Sequence, residues 1–101
     1  MVPTSDRILV EVLNGSGHRG AARIATRVLR QAGFDVVYFG NAPADVDTTL
    51  VLVRRGSAEP AGWILRVLNA GVVRESPDTL RRVDLTVVLG PDWRPPAEFV
   101  P

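Results

Sequence analysis

Cysteine and lysine are both absent from this chain of 101 residues, and histidine occurs once, at position 18. Without cysteine there can be no disulfide framework, no thiolate zinc site and no cysteine nucleophile. A single His18 leaves too little material for a histidine-rich metal centre or a Ser-His-Asp triad. No stretch approaches the roughly 18 apolar residues that a membrane-crossing helix needs. The opening, Met1-Val-Pro-Thr-Ser-Asp6, also lacks the apolar core of a signal peptide. The chain as it stands is therefore expected to be soluble, to use no cofactor and to do no metal chemistry.

What is present suits one small globular domain, since 46% of residues are apolar and 23% charged. A domain of this size has little surface to spare for an enclosed active site, so any ligand is expected at the surface. All twelve basic residues are arginine, yet the formal net charge is only +1.

Hydrophobic periodicity and turn residues divide the chain into seven elements. Ile8 to Leu13 reads as a strand that stops at Asn14-Gly-Ser-Gly17. From His18 to Ala32 the residues Ala21, Ala25, Val28 and Ala32 recur at helical spacing, with Gly33 as the stop. Phe34–Phe39 and Thr48–Val53 read as strands. A second helix is expected from Ala58 to Asn69 with Ser57 as its N-cap, followed by a short strand at Val72–Arg74 and a last one at Leu85–Leu89. The order β-α-β-β-α-β-β implies an α/β two-layer sandwich of the α+β kind. Its mixed sheet would hold four to five strands, with two helices on one face. Residues 1–6 read as a linker, residues 7–92 as the domain, and residues 93–101 as a loosely ordered proline-rich tail.

The loop after the first strand contains Gly15-Ser-Gly17-His-Arg-Gly20, which fits the dinucleotide fingerprint G-x-G-x-x-G. That fingerprint also needs an acid at the end of the second strand, where this chain has Gly40-Asn41. Two other readings of the loop stand beside it. In the plainer one, Asn14 and Gly15 make a turn, Gly17 takes an unusual backbone angle, and Gly20 lets the helix approach the sheet. In the other, Ser16, the amides of Gly17 to Arg19 and the helix dipole accept a phosphate or carboxylate.

Arg19, Arg23, Arg27 and Arg30 follow at spacings of four, four and three, on one face of a helix that holds no acid. Such a stripe attracts anions, although it also suits a solvated outer face. Aromatics are too few, and no recognised motif accompanies the arginines, so a nucleic-acid partner is not expected. Asp45, Asp47 and Asp92 fall in loops and suit turn or cap roles. Trp63 reads as a packing residue, and Trp93 as the better candidate for an exposed contact.

Several short strings occur together in a specific order: Val10-Glu-Val-Leu-Asn-Gly-Ser-Gly17, Gly20-x-Ala22, Gly33-Phe34-x-Val36, Asp47-Thr48-Thr49 and Leu89-Gly90-x-Asp92. Over residues 7–92 the chain thereby resembles the LytR C-terminal domain of bacterial cell-envelope proteins. The resemblance implies an extracytoplasmic module, often attached to a LytR-CpsA-Psr phosphotransferase domain or a membrane anchor in Gram-positive, especially actinobacterial, envelopes. The phosphotransferase residues have no counterparts here, so it implies no catalysis. It implies instead an accessory module that contacts an anionic wall polymer or an envelope protein. The candidate ligand-binding residues are Asn14, Gly15, Ser16, Gly17, Arg19, Gly20, Arg23, Arg27, Arg30 and Asp92. The alternatives are a nucleotide- or phosphate-binding domain using the glycine loop, and a structural unit that dimerises through a strand edge.

Overall fold

The computed structural model describes residues 7–99. The linker reading of residues 1–6, and the last two residues of the tail, fall outside them. The strands are β1 (Leu9–Asn14), β2 (Asp35–Asn41), β3 (Leu50–Val53), β4 (Val72–Glu75) and β5 (Leu85–Leu89). The helices are α1 (Ala21–Gln31) and α2 (Glu59–Leu68), and a short 3-10 turn spans Ala97–Phe99.

The five strands form one mixed sheet in the order β2-β1-β5-β3-β4. β1 runs parallel to both β2 and β5, β3 runs parallel to β4, and only the β3–β5 seam is antiparallel. The molecule is thus two strand–helix–strand units laid side by side, with β5 inserted between them. All five residues of β5 are buried. A central strand covered on both faces explains why Leu85-Thr-Val-Val-Leu89 shows no polar alternation.

α1 packs on β1 and β2, α2 on β3 and β4, and the helices also touch one another. Both therefore lie on one face. Beneath them Val10, Val12, Val36, Val51, Val53, Leu85, Val87 and Leu89 form the sheet side of the core. Ala21, Ala22 and Ala25 bring α1 close to the sheet, and Leu29, fully buried, fills the space behind them. Truncating such a leucine to alanine costs about 2–5 kcal/mol in a well-packed core.

The opposite face is covered by loops. Val46 reaches over Gly15, and Arg81 reaches over β1 to pair with the buried carboxylate of Glu11. The Thr86 hydroxyl donates to Glu11 Oε1 at 3.0 Å and accepts from Arg54 Nε at 3.0 Å. This polar chain satisfies a glutamate that is only 6% exposed, as a buried charge requires.

Several element ends differ from the sequence reading, each for a physical reason. α1 begins at Ala21 instead of His18, because Gly20 sits at φ +84°, in the left-handed region, and breaks any earlier helical turn. At its other end Gly33 N–H donates to Arg30 O and Phe34 N–H to Leu29 O. That pair of bonds is the Schellman motif expected of a glycine stop.

β2 continues through Gly40 and Asn41, read from the sequence as loop, because these residues pair in register with Leu13 and Asn14. β1 extends to Asn14 for the same reason. β3 begins only at Leu50, since Thr48 and Thr49 are engaged by Asp92. α2 is capped by Ala58 without a side-chain bond, so Ser57 is not its N-cap. Pro60, near the start of that helix, has no N–H to satisfy there. β4 runs one residue further than expected, to Glu75.

The tail also departs from expectation. Trp93 is 4% exposed as part of the core, and Phe99, in the 3-10 turn, packs against that core. Trp93 is therefore a packing residue and not an exposed contact, and residues 93–99 are anchored by it.

Candidate binding surface at the start of helix α1

The loop from Asn14 to Gly20 is held by its own polar groups. Asn14 Oδ1 accepts from Ser16 N–H at 3.0 Å and from the Ser16 hydroxyl at 2.6 Å, while its Nδ2 donates to His18 O at 2.8 Å. Ser16 Oγ in turn accepts from His18 N–H at 3.0 Å. Asn14 and Ser16 thus shape the loop, and their hydrogen-bonding capacity is largely used inside it.

Gly15 and Gly20 serve other purposes than the sequence suggests for them, while Gly17 takes the unusual backbone angle expected of it. Gly15 donates its N–H to Leu89 O, and a Cβ there would stand 3.2 Å from Leu89 O, Val46 and Val88. Close approach is therefore the reason for glycine at 15. At Gly20 an added Cβ would meet nothing within 4 Å, so the need is for positive φ alone. Gly17, at φ +78°, lies near Asp45, whose Oδ2 would be 3.6 Å from a Cβ there. The loop tip consequently faces a carboxylate, which disfavours a phosphate at that point.

One turn later the character changes. α1 has no acid in its first turn and no side-chain cap, which leaves the positive end of the helix dipole uncompensated. Arg19, Arg23 and Arg27 are exposed. Among the described residues none of the three makes an ion pair or a side-chain hydrogen bond. Arg30 differs, because its Nη2 donates to Val36 O on β2 at 2.7 Å.

Between the start of α1 and the end of β2 lies a groove of about 410 Å³, lined by Asn14, Arg19, Gly20, Ala22, Arg23, Phe39, Gly40 and Asn41. No acid lines it. A smaller recess of about 230 Å³ on the other side of the helix start is lined in part by His18, Arg19, Trp93 and Arg94. Phe39, Asn41, His18 and Arg94 are the residues that sequence reasoning missed. The signal that could have found the first two is the run Val37-Tyr38-Phe39, three large apolar residues that stay 39–56% exposed on an outer strand.

Asp92 stands apart from the arginines. Its Oδ1 accepts from Thr49 N–H at 2.9 Å and from Thr49 Oγ1 at 2.7 Å, and Thr49 Oγ1 accepts from Gly90 N–H at 3.0 Å. The carboxylate ties the end of β5 to the approach to β3, as a loop cap does. Its neighbour Gly90 lies so close to that segment that a Cβ would stand 2.6 Å from the backbone of Thr48.

The same segment closes over the carboxyl end of β5, next to the first glycine of the dinucleotide fingerprint. The carboxyl ends of β1 and β5 are joined by Gly15 N–H to Leu89 O, at 2.9 Å, and covered by Thr48 and Thr49. β2 ends on Asn41, with no acid for a ribose.

A groove of similar size, about 390 Å³, lies at the opposite end of the sheet around Trp63. Its charges are of both signs: Arg7 pairs with Asp35 and Arg55 with Asp84, while Glu59 lines it with no ion pair among the described residues. Size alone does not separate the two grooves, but the charge left without a partner does: two arginines in the first, one glutamate in the second. Among the described residues no cluster of three metal-ligating side chains occurs, and no helix is long and apolar enough to cross a membrane.

The family model described as LytR cell envelope-related transcriptional attenuator matches residues 7–93. No curated protein matches the sequence. Two solved structures are similar. One is the soluble domain of a conserved hypothetical secreted protein (Rv2700 ortholog) from Mycobacterium marinum, at 22% identity and a TM-score of 0.58. The similarity covers 91% of this chain and 66% of the other, so this chain spans just under two thirds of it. The second is the C-terminal domain of RV0431, at 31% identity and a TM-score of 0.53, covering 89% of this chain and 77% of that one. The first supports the fold, and the second supports kinship as well.

Proposed function

The chain belongs to the LytR C-terminal family of cell-envelope proteins, and from that premise we propose that it is an extracytoplasmic, non-catalytic binding module for an anionic partner. The partner is an anionic wall polymer or the acidic part of an envelope protein. The family is an accessory one, not a known catalytic domain. Contact is made by the arginines of α1 and the groove beside them, with the Asn14–Gly17 loop as their scaffold.

The observation that carries the reading is the uncompensated charge at the start of α1. Arg19 and Arg23 line an acid-free groove beside a helix N-terminus, and a rigid hydrogen-bonded loop holds that terminus in place. Phosphate or carboxylate groups gain there from both the side chains and the dipole. Arg27 extends the same face, whereas Arg30 and Asp92 serve the fold through Val36 and Thr49.

Calorimetric titration with purified anionic wall glycopolymer tests the reading. Saturable binding that weakens with added salt, and falls about tenfold or more in the Arg19→Glu/Arg23→Glu variant, is the expected result. Equal binding by the variant would exclude this surface. A nucleotide that bound saturably where the polymer did not would favour the phosphate-site alternative.

A further inference from the structure

From the free edge of β2 we infer that the groove takes an extended acidic polypeptide strand, which adds itself to the sheet beside Phe39–Asn41. The inference rests on the proposed anion-binding role and names the partner class for that site. Among the described residues β2 bonds to β1 alone, so its other side is a sheet edge. At its two ends Asp35 N–H donates inward to Ile8 O and Ala42 N–H to Asn14 O. Strand alternation back from Ala42 therefore turns the amides and carbonyls of Phe39 and Asn41 outward. Further upstream the edge is obstructed: the register slips between Val10 and Glu11, around Val37, and Arg30 occupies the carbonyl of Val36. The unpaired stretch thus coincides with the β2 wall of the groove.

The lining chemistry selects the occupant. Phe39 faces the groove beside Arg19 and Arg23, whereas Tyr38 stands on the other face of the strand and covers Gly40. A strand added here presents alternate side chains to the two faces, acidic ones toward the arginines and aliphatic ones toward Tyr38. Backbone pairing supplies affinity and alternation supplies specificity, as in strand addition generally. A second copy of this chain fits poorly. Antiparallel pairing of β2 with its twin keeps both α1 helices on one face and sets their arginines against each other across the seam.

The probe is a synthetic acetylated peptide of alternating aspartate and valine, titrated into the 15N-labelled protein and followed by amide shifts and hydrogen exchange. The expected result is saturable shifts at Val37–Asn41 and Arg19–Arg27, with the Phe39 and Asn41 amides slowed in exchange. An analogue N-methylated at alternate residues, with the same charge, should bind about tenfold more weakly, and a lysine–valine peptide should not bind. Equal affinity for the N-methylated analogue, or shifts confined to α1, would overturn strand addition. Retained binding of wall polymer in that case would leave the anion-binding reading standing. Concentration-dependent shifts on β2 without peptide would give the edge to a second copy and overturn the inference as well.

Discussion

In the first strand–helix–strand unit, Leu9 to Asn41, the helix carries Arg23, Arg27 and Arg30 and no acid, and the outer strand runs seven residues with Val37, Tyr38 and Phe39 exposed. In the second, Leu50 to Glu75, the helix mixes Glu59 with Arg66. Its outer strand has only four residues, among them Arg74 and Glu75. Both units bury the same kind of core and obey the same connectivity. The second edge is short and charged, which is how sheets ordinarily avoid unwanted pairing. The first edge is long and apolar beside a basic helix. The two halves therefore share one structural task, while the acid-free arginine helix and the long exposed edge both fall in the first.

The largest expected effect breaks what the halves have in common. Trp93 packs in the shared core, and Trp93→Ala should cost about 3–5 kcal/mol by urea denaturation. A loss below about 1 kcal/mol would mean that the tail is not anchored. Next is the clamp between β5 and the segment leading to β3. Asp92→Ala removes two well-formed bonds to Thr49 and should cost about 2 kcal/mol, while leaving polymer binding per folded molecule unchanged. Reduced affinity in that variant would return Asp92 to the binding surface.

A smaller change sharpens the contrast. Gly20→Ala meets no neighbour but must adopt φ near +84°, so it should cost about 1 kcal/mol and disturb α1 more than α2 in hydrogen exchange. Smallest in stability is Arg23→Glu, expected within about 0.5 kcal/mol of the parent because the side chain is exposed and has no partner among the described residues. A larger loss would show that the arginine stripe serves the fold.

The order of elements and their packing were legible because hydrophobic period and glycine stops are local signals. Gly33 ends α1 by the bonds its position suggests, and Leu85–Leu89 forms the strand read from its sequence. Tertiary pairing was not legible. Gly40 and Asn41 look like loop until Leu13 and Asn14 draw them into the sheet. Trp93 looks exposed beside prolines until the core closes over it.

At the candidate site, the arginine spacing showed the charged face of α1 for Arg23, Arg27 and Arg30, whereas Arg19 lies before the helix, across the left-handed Gly20. The groove and its Phe39 wall depend on which strand lies at the edge, a property of the whole sheet. Arg30 and Asp92, grouped with the site by proximity in sequence or by family pattern, bond instead to Val36 and Thr49. Only a hydrogen-bond partner brought near by the fold, an acceptor for Arg30 and donors for Asp92, separates such a residue from one left facing solvent.

The most direct test of the contrast between the halves is a residue-by-residue amide shift map with purified anionic wall polymer at physiological salt. The account predicts saturable shifts at Arg19–Arg27 and Phe39–Asn41, with silence across Glu59–Glu75. Shifts centred on α2 and β4, or on the groove around Trp63, would contradict it.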